Sequence, residues 1–167
     1  MAQADNQPFV IDNKLESHLL STEFLVYPQE SRVLSFEEFR KSRHLLPNQR
    51  FNTANYGFSK NGAWLYTKLE NRSQFTNWML AFRFSQLQDA QVYVTLQGEV
   101  IHIANSNINN TINQDPLPAF ALNLPNNVPA NIPLEMYIYV KTESMMLVAP
   151  IYLQTEGAHK VLSMLDF

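Results

Sequence analysis

From Tyr56 onward, apolar and polar residues alternate along the chain with a period of two. In Ala63–Asn71, Leu65, Thr67 and Leu69 point to one side, and Trp64, Tyr66, Lys68 and Glu70 to the other. Residues 77–84 carry an unbroken apolar face of Trp78, Leu80, Phe82 and Phe84, opposite Met79, Ala81 and Arg83. In 90–97, Ala90, Val92, Val94 and Leu96 alternate with Gln91, Tyr93, Thr95 and Gln97. In 134–141, Leu134, Met136, Ile138 and Val140 alternate with Glu135, Tyr137, Tyr139 and Lys141. Alternation of this kind predicts half-buried antiparallel strands. Shorter strands are predicted over 23–27, stopped by Pro28, and over 100–104, 119–124 and 146–154. With turn residues between them, these segments specify an all-β fold, an antiparallel β-sandwich or barrel of about eight strands. The expected core comprises Leu65, Leu69, Trp78, Leu80, Phe82, Val92, Val94, Phe120, Met136, Ile138 and Val140.

A single helix start stands out. Ser35 and Glu38 have the spacing of a capping box, with Leu34 and Phe39 placed as its hydrophobic staple. The predicted helix runs about two turns and ends near His44, before Pro47. Residues 1–22 are polar without sustained period and are expected to be a loose lead-in; 23–155 form the β domain, and 156–167 a linker. Two connections are long: 105–118, with five Asn, and 125–133, with three Pro. Each is either a functional loop or a solvated crossover.

Composition narrows the class. The net charge is −3 with an isoelectric point near 5.8, which argues against nucleic acid as a partner. There are no cysteines, which excludes disulfides, thiolate metal sites and a cysteine nucleophile, and fits an oxidising compartment. Ala2-Gln3-Ala4 before Asp5 has the small-x-small form cut by signal peptidase, so the mature chain is expected to be periplasmic; the alternative is a polar N-terminus that holds two alanines by chance.

The residues build no convincing catalytic or metal site, and no cofactor is expected. His18, His44, His102 and His159 are scattered without metal-binding spacing. His102 alternates with Ile101 and Ile103, so it is expected to face away from the apolar side. Four glycines are too few for a phosphate cradle. Glu70 and Glu135 are a formal pair for glycoside hydrolysis, but both fall on outward strand faces and read as solvated surface. The 105–118 loop offers calcium only Asp115 as a carboxylate. The expectation is a protein that is not an enzyme.

One pattern points to binding. The faces opposite the core carry Trp64, Tyr66, Arg83, Tyr93, Tyr137, Tyr139 and Lys141. Five large aromatics on a solvated sheet face would mark an interaction site, flat rings suiting sugars and the cations suiting hydroxyls or a carboxylate. The alternative is that these strands are not neighbours, or that Trp64 packs beneath the Ser35 helix.

Segments 33–39 (VLSFEEF), 56–73 (YGFSKNGAWLYTKLENRS), 78–93, 115–124 (DPLPAFALNL) and 134–153 occur in an order that resembles one known family. It is the type 2 extracellular domain of the 7TMR-DISM receptors, seven-transmembrane receptors with diverse intracellular signalling modules. The resemblance spans 23–154 and rests on Trp64, Leu65, Leu69 and Asn71, on Pro118, Phe120 and Leu122, and on the final strand pair. It differs at Tyr66, where relatives usually carry Arg, and at Thr67, where an aromatic is frequent; the first change implies either a preference for an uncharged ligand or a slot that is structural only. The resemblance implies a jelly roll that binds a small-molecule or carbohydrate ligand outside the cytoplasmic membrane, tethered to it in the full-length protein. A ligand-free module, structural or forming a homodimer, and a carbohydrate-binding appendage of a secreted enzyme are the alternatives.

Overall fold

The computed structural model describes residues 7–84, 86–105, 119–129 and 131–165. In chain order the elements are β1 (Phe9–Ile11), β2 (Ser17–Leu19), β3 (Leu25–Pro28), α1 (Phe36–Ser42), β4 (Gln49–Arg50) and β5 (Asn55–Phe58). Then come β6 (Ala63–Asn71), β7 (Asn77–Phe82), β8 (Leu87–Leu96), β9 (Glu99–Asn105) and β10 (Ala119–Asn123). The chain continues through β11 (Leu134–Thr142), β12 (Met146–Val148), β13 (Ile151–Thr155) and α2 (Glu156–Leu165). The four segments with sustained alternation are thus strands, three of them the longest in the described chain.

The strands form two main sheets. The larger runs β4-β3-β6-β11-β8-β9, with β1 pairing in parallel to the far end of β6 beyond β3; the smaller runs β10-β7-β13-β2. Apart from β1, every pairing is antiparallel. The two-residue turn Gln97–Gly98 links β8 to β9, and both residues have positive φ, 51° and 83°. That is the twist a tight hairpin needs. Gly62, at φ 77°, lies so close to β11 that a Cβ there would run into the Val140 carbonyl oxygen.

The inner faces meet in one core. Leu65, Leu69, Val92, Val94, Met136, Ile138 and Val140 of the larger sheet pack against Trp78, Leu80, Phe82 and Phe120 of the smaller. All eleven expected core residues belong to this cluster. The β5–β12 ribbon closes one side with Tyr56 and Leu147. Ser21 fastens the chain across it: its Oγ donates to the Ala149 carbonyl (2.6 Å) and accepts from Ile151 N–H (2.8 Å). Tyr56 Oη donates to the Ser21 carbonyl at 2.7 Å. Burial pushes the Tyr56 phenol pKa up.

Three expectations are corrected. The supposed loose lead-in supplies a strand to each sheet: β1 beside Leu69–Asn71 and β2 beside Tyr152–Gln154. The supposed linker begins as a helix, α2, directly at the end of β13. His102 faces inward, not outward: it pairs opposite the fully buried Val94, and opposed residues share a face. Ile101 and Ile103 are the exposed residues of this edge strand, at 40% and 54%. The 105–118 loop beyond Asn105, with Asp115, lies outside the described residues.

Two outcomes test this core. Phe82→Ala should lower the unfolding free energy by about 3–5 kcal/mol in urea titration, as removal of a buried aromatic does. Burial lowers the pKa values of both His102 and His159, the latter helped by the charge of Arg83. A base with a depressed folded pKa binds protons better when unfolded, so its stabilising contribution is complete above about pH 6.5 and is lost as pH falls through the folded values. Replacing both histidines by Gln should flatten the fall in denaturation midpoint between about pH 7 and 5.

Candidate functional site

α1 exists because its first turn is capped and its apolar face has a partner. Ser35 Oγ accepts from Glu38 N–H at 3.1 Å, and the Glu38 carboxylate accepts from Ser35 N–H at 2.9 Å. Arg32 grips the same carboxylate with two nitrogens, at 3.1 and 2.9 Å, and holds its pKa at about 2, assisted by the Ser35 backbone. Phe36 and Phe39, three residues apart on one helical face, are both buried.

They are buried against the outer face of the larger sheet. Phe39 stacks on Trp64 with ring centres 5.1 Å apart, and Phe36 stacks on Tyr93 at 4.0 Å. Tyr137 meets both helix rings edge-on, at 5.1 and 6.1 Å, and Tyr27 meets Phe39 edge-on at 4.9 Å. The polar tips of this layer are satisfied. Trp64 Nε1 donates to the Leu34 carbonyl (3.0 Å), and Tyr139 Oη to the Asn61 carbonyl (2.6 Å). Arg43 lies 3.6 Å over the Tyr66 ring and donates to Tyr27 Oη at 3.2 Å. Arg40 reaches from α1 to the Gly98 carbonyl in the β8–β9 turn.

Glu135 forms the polar margin. Its carboxylate accepts hydrogen bonds from Tyr66, Tyr137 and Thr95. Burial first, and then Glu135, pushes both phenols up, through its charge for Tyr137, which reaches about 12, and through its hydrogen bond for Tyr66. Burial and Asp89 likewise raise Tyr139 to about 12. A groove of about 250 Å³ opens beside the layer between Tyr27, Gln29, Arg32, Leu34 and Leu46.

Six of the seven sequence-selected residues therefore come together, on one face of neighbouring strands β6, β11 and β8. The openness expected of that face is corrected: Trp64, Tyr66, Tyr137 and Tyr139 are 1–4% exposed, with the α1 rings packed on Trp64 and Tyr137, Arg43 on Tyr66, and Tyr139 against Trp64. Tyr93 and Lys141 keep partial access at the margin. Arg83 is apart from the group, just beyond β7 in the other sheet, where its N–H donates to the Pro150 carbonyl. Glu70 and Glu135 are each engaged by a neighbour, Glu70 by Arg72 and Glu135 by Tyr66. The residues missed were Phe36 and Arg43, and Glu135, expected on the solvated surface, is the half-buried acceptor of this layer. The signal for the first was the i, i+3 pair Phe36 and Phe39 on a capped helix, an apolar face that had to cover something.

Three measurements check this layer. Trp64→Ala should cost about 3–5 kcal/mol of stability. Tyr66→Phe, which removes one of the hydrogen bonds to the half-buried Glu135 carboxylate, should cost about 1–3 kcal/mol. A phenol with a raised folded pKa stabilises fully below its unfolded value, about 10, and that contribution is lost as pH rises through the folded value. Ultraviolet titration of the native protein should therefore show Tyr137 and Tyr139 still protonated at pH 11, ionising only near 12 or on unfolding.

No match to a curated protein is found. Residues 21–155 match the family described as 7TMR-DISM extracellular 2, a span that begins at the Ser21 tether, takes in α1 with the whole aromatic layer, and ends with β13. The chain belongs to that family of receptor extracellular domains.

Proposed function

We propose that this domain senses a ligand outside the cytoplasmic membrane, in the periplasm, as part of a bacterial seven-transmembrane signalling receptor to which it is tethered. It does so without catalysis, and the proposed ligand is a carbohydrate or a carbohydrate derivative. The observation that carries this reading is the family match from Ser21 to Thr155, which takes in every strand of the sandwich after β2. It is supported by chemistry: the two acids best placed by sequence are each engaged by a neighbour, Arg72 for Glu70 and Tyr66 for Glu135.

At the aromatic layer, first contact with a ligand falls to Tyr93 and Lys141. Trp64, Tyr66, Tyr137 and Tyr139 then act through the seat they give α1, and Arg83 through the other sheet. A second reading, a structural dimerisation module, is favoured by β9. Among the described residues this edge strand pairs only with β8, and Val100, Ile101 and Ile103 are exposed on it. An apolar unpaired edge is a ready template for a second copy.

A thermal-shift screen against neutral saccharides, peptidoglycan fragments and small organic acids separates the two. Ligand at about 100 times its dissociation constant stabilises the native state by about 2.7 kcal/mol, a rise of several degrees. The sensing reading expects that rise for at least one class. A flat screen together with dimerisation in sedimentation, abolished by Ile103→Lys, would overturn it in favour of the second reading.

A further inference from the structure

A groove of about 870 Å³ lies at one end of the sandwich, away from α1. Its walls are the loop after β1, the β6–β7 loop, and the junction where β13 becomes α2. The volume is in the range of small-molecule sites.

The β6–β7 wall is held rigid from behind. The Phe75 carbonyl accepts from Asn71 Nδ2 (2.8 Å) and Trp78 Nε1 (3.1 Å), and Asn71 Nδ2 also reaches the Leu124 carbonyl (2.9 Å). Asn71 Oδ1 in turn accepts from Ser73 N–H at 3.0 Å. Backbone bonds fix the remaining edges: Arg72 N–H to the Ile11 carbonyl, Leu124 N–H to the Thr76 carbonyl and Thr155 N–H to the Glu16 carbonyl. Gln74 N–H donates to Asn13 Oδ1 at 2.7 Å and joins the two loops.

With the backbone so employed, the side chains are left to face the groove. Phe75 is 43% exposed although its own carbonyl is anchored by Asn71 and Trp78. Gln74, Thr76 and Asn77 make no side-chain hydrogen bond among the described residues. A loop built to hold a flat ring and several amide and hydroxyl groups outward is preorganised at no cost to the ligand. Primary amides both donate and accept, and so match vicinal hydroxyls, while the ring face suits C–H surfaces. Lys14 lines the groove together with Glu16 and Glu156, a slightly negative lining that does not favour an anion.

We propose that this groove binds a neutral polyhydroxylated ligand, a mono- or disaccharide, stacked on Phe75 and hydrogen-bonded by Asn13, Gln74, Thr76 and Asn77. This rests on the sensing function and gives it a second location, distinct from the margin of α1. Because the groove includes Thr155–Gly157, its occupant touches the start of α2 and the first loop at once.

The test is amide chemical-shift mapping of the ¹⁵N-labelled domain with maltose, cellobiose and N,N′-diacetylchitobiose, and with citrate as an anionic control. Saturable shifts are expected at 13–16, 74–77 and 155–157, with none from citrate. Phe75→Ala and Phe75→Leu should each weaken binding about tenfold or more, and Phe75→Leu should leave the melting temperature unchanged. Asn77→Ala should weaken binding likewise. Shifts gathered at Tyr93 and Lys141 would overturn the groove while keeping the sensing function. Citrate shifts without saccharide shifts, or silence from all three sugars at millimolar concentration, would overturn the groove as a saccharide site. The sensing function itself fails only if the wider thermal screen is also flat.

Discussion

The central strands of the larger sheet are buried on both faces, and on the outer face that burial depends on two turns of helix. One side of β6 and β11 packs on the smaller sheet; the other carries Trp64, Tyr66, Tyr137 and Tyr139 beneath Phe36 and Phe39. Each buried aromatic removes roughly 150–250 Å² from water, worth several kcal/mol at about 25 cal/mol per Å². A seven-residue helix has no independent stability, since nucleation outweighs so few hydrogen bonds. The helix holds because the sheet needs a cover, and the sheet face is tolerable because the helix supplies one.

The polar tips turn this cover into a fixed seat. A layer of greasy contacts alone would let α1 slide, but Trp64 Nε1 donates to the Leu34 carbonyl and Arg43 spans Tyr66 and Tyr27. Buried donors left unpaired would cost about 1–3 kcal/mol each, so a shifted helix loses several interactions together. The Arg32–Glu38–Ser35 cap fixes the near end, and Arg40 on the Gly98 carbonyl ties the far side to the β8–β9 turn. The layer is thus a scaffold whose accessible chemistry is confined to its rim.

Much of this was legible in the alternation, and the limits of legibility are physical. A period of two sorts residues onto two faces, and the strong periods at Ala63–Asn71 and Leu134–Thr142 gave both faces correctly. Period alone does not say what lies over the second face; there the buried tyrosines read as solvent-facing. The cover was present in the sequence as a capped helix with Phe36 and Phe39, two clues that needed joining. Strands of three residues, such as β1 and β2, are too short to show a period, and both fell into the supposed lead-in. His102 was misplaced because an edge strand can carry apolar residues outward, and only its pairing with Val94 settles the inward side. The groove walls were illegible for another reason: loop side chains converge through hydrogen bonds such as Gln74 N–H to Asn13, which link residues distant in sequence.

The two ends of the molecule differ in how they could transmit a signal. A ligand shifts a conformational equilibrium only through contacts that differ between states. The seat of α1 offers little such difference, because its bonds are made all together or lost all together. The junction of β13 and α2 is lighter. Beyond the strand pairing of Gln154 and Thr155, its ties among the described residues are Thr155 N–H to the Glu16 carbonyl, Gln154 Nε2 to Ser17 Oγ, Ala158 N–H to Thr155 Oγ1, and His159 with Gln154. Elements held by few bonds are the ones drawn from the low-stability end of a fold, and they are where motion is available. A ligand bridging Phe75, Asn13 and the first turn of α2 would add contacts at that junction, favouring one orientation of the helix over others. On the proposed function, then, the rigid aromatic layer keeps the sandwich in one shape, and the groove at its other end is where binding energy can be converted into the position of α2.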